Sequence, residues 1–207
     1  MTISKKHIPT IVVQAFSLLM VVPLLISYFQ LVTGASATES VRHLLHESGE
    51  VSERLIILTL LCTPLFIIFG WSLPIKYRRT LGVYSFVALL VHVFAQLWKQ
   101  GFTIDTLFDN VSFTLGSIGF FIMIALAVTS FDSIKQAMGK AWKFLHYGVY
   151  VVAILMEVHI LLVDLPRLNP HGILFGVAIA TLLIIRLPFV RKPLLTRWQN
   201  KRNSTVI

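Results

Sequence analysis

The sequence has 207 residues, of which 56% are hydrophobic and 13% are charged, and its net charge is +9. Soluble domains are about 45–50% apolar and about 25% charged, so this composition excludes an ordinary soluble domain and indicates an integral membrane protein. The basic residues flank apolar stretches and form no separate basic domain, which argues against a nucleic-acid-binding function.

Hydropathy predicts an all-α membrane protein, a single domain over residues 1–207 with six transmembrane helices. Each apolar stretch approaches the roughly 20 residues that a membrane-spanning helix needs, and none shows the polar–apolar alternation of a membrane β-strand. The predicted spans cover residues 9–30, 55–71, 80–98, 111–131, 145–162 and 172–188.

The first predicted span also resembles a secretory signal peptide, since Lys5 and Lys6 precede it and an Ala-Ser-Ala segment follows at 35–37. Its apolar core is longer than the roughly 7–15 residues of a signal core. We therefore expect a retained span. The polar segment 33–53 that follows is predicted to be an outer loop with a short helix.

The distribution of charge predicts the orientation of the spans. Most of the 18 lysines and arginines lie before span 1, between spans 2 and 3, between spans 4 and 5, and after span 6. By the positive-inside rule, both termini are then cytoplasmic. The basic tail, residues 186–207, is expected to lie on anionic membrane lipid.

Three histidines, His92, His146 and His159, lie inside predicted spans. A membrane-buried imidazole is costly unless it has a partner or a function, and imidazole is a good ligand for haem iron. Spans 3 and 5 both begin on the predicted cytoplasmic side. At a rise of about 1.5 Å per residue, His92 and His159 then lie at a similar depth, about 18–20 Å from that side. Two facing imidazoles at one depth could hold one haem iron.

Two alternatives remain open for these histidines. Each could be a packed residue that is hydrogen-bonded to a neighbouring helix. In addition, the 13 residues from His146 to His159 turn an ideal helix by about 220° beyond three full turns. The two side chains would then face different directions unless a bulge or kink realigns them.

Six short stretches form a recognisable set: 46–49, 63–65, 78–82, 88–92, 126–130 and 138–150. Together they resemble the MsrQ (YedZ) family of haem-binding membrane subunits of bacterial methionine sulfoxide reductase systems. That family belongs to the wider group of ferric-reductase-like transmembrane proteins, and the resemblance covers about residues 8–195.

The resemblance implies a redox subunit of the bacterial inner membrane rather than the catalytic subunit of its system. It would carry haem b, one or two per chain, and pass electrons to a periplasmic molybdopterin-dependent reductase that repairs oxidised methionines. Quinol or a cytosolic flavin reductase would be the donor, and family members also use a flavin, here FMN. No Gly-x-Gly-x-x-Gly motif is present, so the chain needs a separate donor.

By matching position, His92 and His159 would bind the outer haem iron and His146 an inner haem iron. Relatives with two haems have a further histidine where this chain has Arg78, followed by Arg79. Arginine stays protonated and is no ordinary iron ligand. The two arginines suit a flavin phosphate or haem propionates, or they serve membrane topology alone.

Departures from the family pattern cluster near the outer end, at Glu157, Gln96 and Asp164. They bear on docking to the usual reductase. A carboxylate at the depth of Glu157 should be neutral or paired, and His171 and Arg167 are its candidate partners.

Two other functions remain alternatives. One is a ferric-reductase-like haem protein with a different acceptor. The other is a cofactor-free transporter or assembly factor, which an intramembrane glutamate would suit. A metal site at His43 and His46 is a further, weak hypothesis because no acidic residue supports it in register.

Overall fold

The computed structural model describes residues 37–164 and 170–204, and their side chains within 39–164 and 170–196. Within these ranges the chain is helical and contains no strand. The helices are α1 Ala37–Phe69, α2 Leu73–Lys99, α3 Val111–Val128, α4 Asp132–Met138, α5 Lys140–His146, α6 Gly148–Asp164, α7 His171–Ile184 and α8 Pro188–Ser204.

The described helices include four that are long and apolar enough to cross a membrane: α1, α2, α3 and the combined α5–α6 segment. A fifth span results if α7 and α8, which are bent by 65° at their junction, count as one. The prediction of an all-α multi-pass membrane protein is thus confirmed. The first predicted span, residues 9–30, lies outside the described residues.

Helix α1 is longer than predicted, because the segment expected to be an outer loop is helical from Ala37 onward. Several of its polar side chains bond within the helix. Ser48 donates from Oγ to the Leu44 carbonyl at 2.6 Å, and Arg54 forms an ion pair with Glu50 one turn away. The polar composition that suggested a loop is therefore compatible with a helix.

The last predicted span, residues 172–188, is interrupted. Helix α7 has 14 residues, fewer than the roughly 20 that a straight span needs. The residue before a proline is disfavoured in a helix, and Pro188 begins α8. At the bend, Arg186 donates to the Leu182 carbonyl at 2.9 Å and also to the Leu60 carbonyl of α1.

Helices α1 and α2 pack closely because small side chains face each other. Ser52 Oγ donates to the Ser85 carbonyl at 3.1 Å, and Ser85 Oγ donates to the Ser52 carbonyl at 2.9 Å. Ala88 and Ala95 continue the buried face of α2. Small residues let helix backbones approach within membranes, and reciprocal hydroxyl bonds fix their register.

A second helix pair forms where α3 packs against α6, with α7 on the other side of α6. Its core combines Met123 and Leu126 of α3 with Val152 and Ala153 of α6. Apolar residues of α1 join the same cluster. The bundle thus brings α2 and α6, the helices that carry His92 and His159, around one interior.

The span that carries His146 and His159 is broken at Tyr147, between α5 and α6. The Tyr147 amide bonds to the Phe144 carbonyl at 3.1 Å, and the Tyr150 amide bonds to the Tyr147 carbonyl at 3.0 Å. Both bonds join residues three apart, so this turn is wound more tightly than an α-helix. The rotation of about 220° expected between His146 and His159 on an ideal helix therefore does not apply.

Candidate functional site

The imidazoles of His92 on α2 and His159 on α6 lie next to each other inside the bundle. Their ring centroids are 6.5 Å apart and their planes are inclined by 88°. Two imidazoles that bind one metal ion from opposite sides, at nitrogen–metal distances of about 2.0–2.1 Å, have centroids roughly 6.4 Å apart. The observed separation fits one metal ion between the rings.

Each imidazole is held by a backbone carbonyl of a neighbouring helix. His92 Nδ1 lies 2.9 Å from the Leu45 carbonyl on α1. His159 Nδ1 lies 2.7 Å from the Ser112 carbonyl on α3. A carbonyl only accepts, so Nδ1 carries the proton in both rings and Nε2 keeps its lone pair. Metal-binding histidines are commonly held in this tautomer by such a bond.

Two glycines let these rings lie against the helix backbone. A Cβ atom at Gly49 of α1 would lie 3.0 Å from His92 Nδ1, and one at Gly116 of α3 would lie 3.2 Å from His159 Nδ1. A larger residue would push either ring from its carbonyl. Sequence reasoning did not identify these glycines, although a glycine inside a helical apolar pattern signals close approach.

A cavity of about 750 Å³ surrounds the paired imidazoles, and we call it the pair cavity. Its volume falls within the roughly 300–1,000 Å³ of small-molecule and cofactor sites. Its walls are mainly apolar, with residues such as Leu89, Phe120 and Met156, and Arg42 and Lys99 also line it. An apolar chamber with cationic groups and two open nitrogens suits a flat, anionic metal complex such as haem.

A second cavity, of about 480 Å³, lies near the start of α2, and we call it the basic cavity. The basic side chains along it are Lys76, Arg78, Arg79, Lys135, Lys143 and His146. The structure thus brings His146 together with Arg78 and Arg79. The histidines at 146 and 159 line different cavities, so the tight turn at Tyr147 does not bring them into one site.

The His146 ring is packed against Trp142, with ring centroids 3.9 Å apart. Its Nδ1 lies 3.1 Å from the Trp142 carbonyl, one turn back along the helix. Its Nε2 is buried without a hydrogen-bond partner among the described residues. His146 lines the basic cavity, and no second histidine lines it in the described part of the chain.

Arg79 is already engaged by a carboxylate. Its guanidinium forms a two-pronged ion pair with Asp132 at the start of α4, with Nη2 3.2 Å from Oδ2. This contact ties the beginning of α2 to the connection after α3. Arg78 is therefore the better candidate for an anion in the basic cavity.

Glu157 is buried, and neither of its carboxyl oxygens has a hydrogen-bond partner within the described ranges. Its carboxyl packs against Gly176 of α7. The predicted pairing with His171 is wrong, because His171 lies between two other acids, 3.8 Å from Glu53 and 3.7 Å from Asp164. Arg167 lies outside the described residues.

The other candidate residues lie around the pair cavity. His46 and Gln96 line it, and His46 also contacts Glu50 at 3.4 Å. His43 is exposed. No group of three or more metal-ligating side chains occurs in the described residues, so the hypothesis of a metal site at His43 and His46 gains no support.

Comparison with known proteins shows what class of protein this is. Residues 48–156 match the model of the ferric reductase like transmembrane component, and the chain belongs to that family. Two similar curated proteins come from Yersinia pseudotuberculosis (strain IP 31758) and Yersinia pestis (strain Pestoides F). Each is 31% identical over 192 residues, which is 90% of this chain and 94% or 92% of the relative.

Both relatives are named as the heme-binding subunit MsrQ of protein-methionine-sulfoxide reductase. Within the ferric-reductase-like group, the chain is therefore a member of the MsrQ family, as its motifs indicated. No solved structure matches the chain.

The Arg79–Asp132 contact predicts a pH-dependent stability. The Arg79 guanidinium lowers the pKa of the Asp132 carboxyl through its hydrogen bond and charge. A carboxyl whose pKa is lowered on folding stabilises the fold above its unfolded pKa of about 3.9 and loses that effect as pH falls through the folded value. Asp132→Asn should therefore lower the thermal unfolding midpoint in detergent at neutral pH, and the deficit should shrink below about pH 4.

Asp109→Asn is the matched control, because Asp109 is an exposed loop residue and its substitution should leave the midpoint at the wild-type value. A deficit for Asp132→Asn that stays constant across the pH series would contradict this prediction.

Proposed function

We propose that this protein is a haem b membrane subunit that passes electrons to a periplasmic methionine sulfoxide reductase. The observation that carries the proposal is the pair of imidazoles, His92 and His159, each with Nδ1 bonded to a carbonyl and both lining one cavity. The naming of the relatives as heme-binding subunits supports it.

In this proposal the chain would supply two histidine ligands of the haem iron and the contacts that orient them. His92 and His159 would hold the haem through Nε2, and the haem, when bound, supplies one-electron chemistry. The Leu45 and Ser112 carbonyls orient the rings and raise their basicity. The apolar cavity walls exclude water, which favours electron transfer over side reactions.

We also propose the predicted membrane orientation: six spans, including residues 9–30, with both termini in the cytoplasm of a bacterial cell and the protein in its inner membrane. The pair cavity would then lie towards the periplasm and the basic cavity towards the cytoplasm. The clustering of basic side chains around the latter supports this orientation, because cytoplasmic edges of membrane proteins are rich in lysine and arginine.

The basic cavity is the proposed entry point for electrons. Arg78 could bind a phosphate of FMN or a propionate of a second haem, and the orphaned His146 nitrogen could bind that second haem's iron. Arg79 would contribute mainly by positioning α2, given its contact with Asp132. The donor would be quinol or a cytosolic flavin reductase, and the acceptor a molybdopterin-dependent reductase.

Haem content tests the proposal directly. Purified wild-type protein should contain haem b with a reduced-minus-oxidised absorbance spectrum, whereas His92→Ala and His159→Ala should each lose the outer-haem component, because one remaining imidazole holds the iron weakly. His43→Ala is the matched control, since His43 is exposed and lies outside the lining of the pair cavity.

A wild-type protein without haem would contradict the proposal and favour the cofactor-free transporter, a reading that the buried, unpartnered carboxyl of Glu157 would suit. Normal haem without electron transfer to a methionine sulfoxide reductase would favour a ferric-reductase-like protein with a different acceptor.

The close approach of Gly116 to the His159 ring gives a second prediction. Gly116→Ala places a Cβ 3.2 Å from His159 Nδ1, which should displace the ring from the Ser112 carbonyl. Loss of such supporting contacts typically weakens metal binding by 10- to 100-fold, so we expect about tenfold weaker haem binding, measured by titrating haem into apoprotein.

The matched control is Gly82→Ala on α2, where the new Cβ meets Thr59 at an ordinary 3.9 Å outside the lining of the pair cavity and the affinity for the outer haem should be retained. Equal affinities in the two variants would show that the close approach at Gly116 is unimportant.

A further inference from the structure

Beyond the imidazoles, the pair cavity contains a buried carboxyl group. Glu53 of α1 lies one helical turn after Gly49, and it lines the pair cavity together with His92 and His159. The residue is 2% exposed. Its Oε1 atom has no hydrogen-bond partner in the described part of the chain. A buried carboxyl group without a hydrogen-bond partner responds strongly to a change of charge nearby, because no water is present to screen the charge.

Glu53 is connected to the outer end of the bundle by two titratable side chains. Its Oε2 lies 3.8 Å from Nε2 of His171, and the other ring nitrogen of His171 lies 3.7 Å from Oδ2 of Asp164. Asp164 in turn accepts a bond from the Gly172 amide at 3.2 Å. The side chain of His171 is 25% exposed. An imidazole between two carboxyls can take a proton on one nitrogen and release one from the other.

The charged groups that face Glu53 come from four helices. On α1 they are Glu50 and Arg54, which are paired with each other, and Arg42 and His46, which line the same cavity. Those on the other helices are Glu157 and Asp164 of α6, His171 of α7, and His92 and Lys99 of α2, both of which line the same cavity. Of the cations on α1, Arg54 is already engaged by Glu50. Glu157 packs against α7 rather than lining the pair cavity.

We propose that Glu53 is a proton-binding site coupled to the paired-histidine centre: it takes up one proton when that centre accepts an electron and releases it when the electron leaves. This inference rests on the proposed haem function. Haem iron is reduced by one electron, and a proton from the outer aqueous side forms an O–H bond on the Glu53 carboxylate by way of His171. The added negative charge is thereby neutralised inside a cavity of low polarity.

The test is the pH dependence of the outer haem's midpoint potential, measured by spectroscopic redox titration of the full chain. One proton per electron gives a slope of about 59 mV for each tenfold change in proton concentration. Wild type should approach this slope within about pH 6 to 9, where buried carboxyls are found to titrate. Glu53→Gln should reduce the slope of potential against pH by at least half, whereas Glu53→Asp should retain the slope.

Glu39→Gln is the matched control, because Glu39 is exposed on the same helix and lies outside the lining of the pair cavity, and the slope of this variant should remain that of wild type. Reduced-minus-oxidised infrared spectra provide a second readout. Wild type should gain the C=O band of a protonated carboxyl on reduction, and Glu53→Gln should lack this band.

A flat wild-type profile, or a Glu53→Gln profile with the wild-type slope, would overturn the inference. If Glu53→Gln does not retain haem, the Glu53→Asp variant decides: its slope should be retained, but the C=O band should shift because the protonated group is now an aspartic acid, and a band at the wild-type frequency would overturn the inference. A haem-free wild type would overturn both proposals, whereas haem-loaded protein with an unchanged slope would overturn this one alone.

Discussion

The paired-histidine site depends on two hydrogen bonds, from His92 to the Leu45 carbonyl and from His159 to the Ser112 carbonyl. Each bond crosses from one helix to another, so it holds an imidazole and also fixes how two helices are placed. Because both bonds use Nδ1, both Nε2 lone pairs remain for a metal ion. A bundle with the same helices but a different register would lose this pair.

The packing of the helices explains how these bonds are maintained. The reciprocal contacts of Ser52 and Ser85 fix α1 against α2 about two helical turns from His92. Gly49 and Gly116 allow the rings to approach the backbone. In a membrane the lipid provides little hydrophobic drive for helix association, so close packing and hydrogen bonds determine the register. The histidines that would bind the metal ion and the residues that pack the helices therefore depend on the same helix register.

Much of this architecture could be predicted from sequence, because hydropathy and helical rise are one-dimensional properties. Span positions placed His92 and His159 at the same depth, and the motifs identified the family that the comparisons confirm. The length of α1 was missed, since polar residues satisfied within a helix resemble a loop. Glu53 was missed because its role depends on contacts with α7, far along the chain. A break in the helix near Tyr147 was considered only as one way in which His146 and His159 could come to face the same direction.

The central claim is that His92 and His159 bind one iron together, and electron paramagnetic resonance of the oxidised, purified protein tests it most directly. Near-perpendicular imidazole planes, here inclined by 88°, leave two iron d orbitals almost equal in energy. The account therefore predicts a low-spin ferric haem signal with strong anisotropy, which is lost in His92→Ala and in His159→Ala. A predominantly high-spin ferric signal in wild type, or a low-spin signal that survives both substitutions, would contradict it.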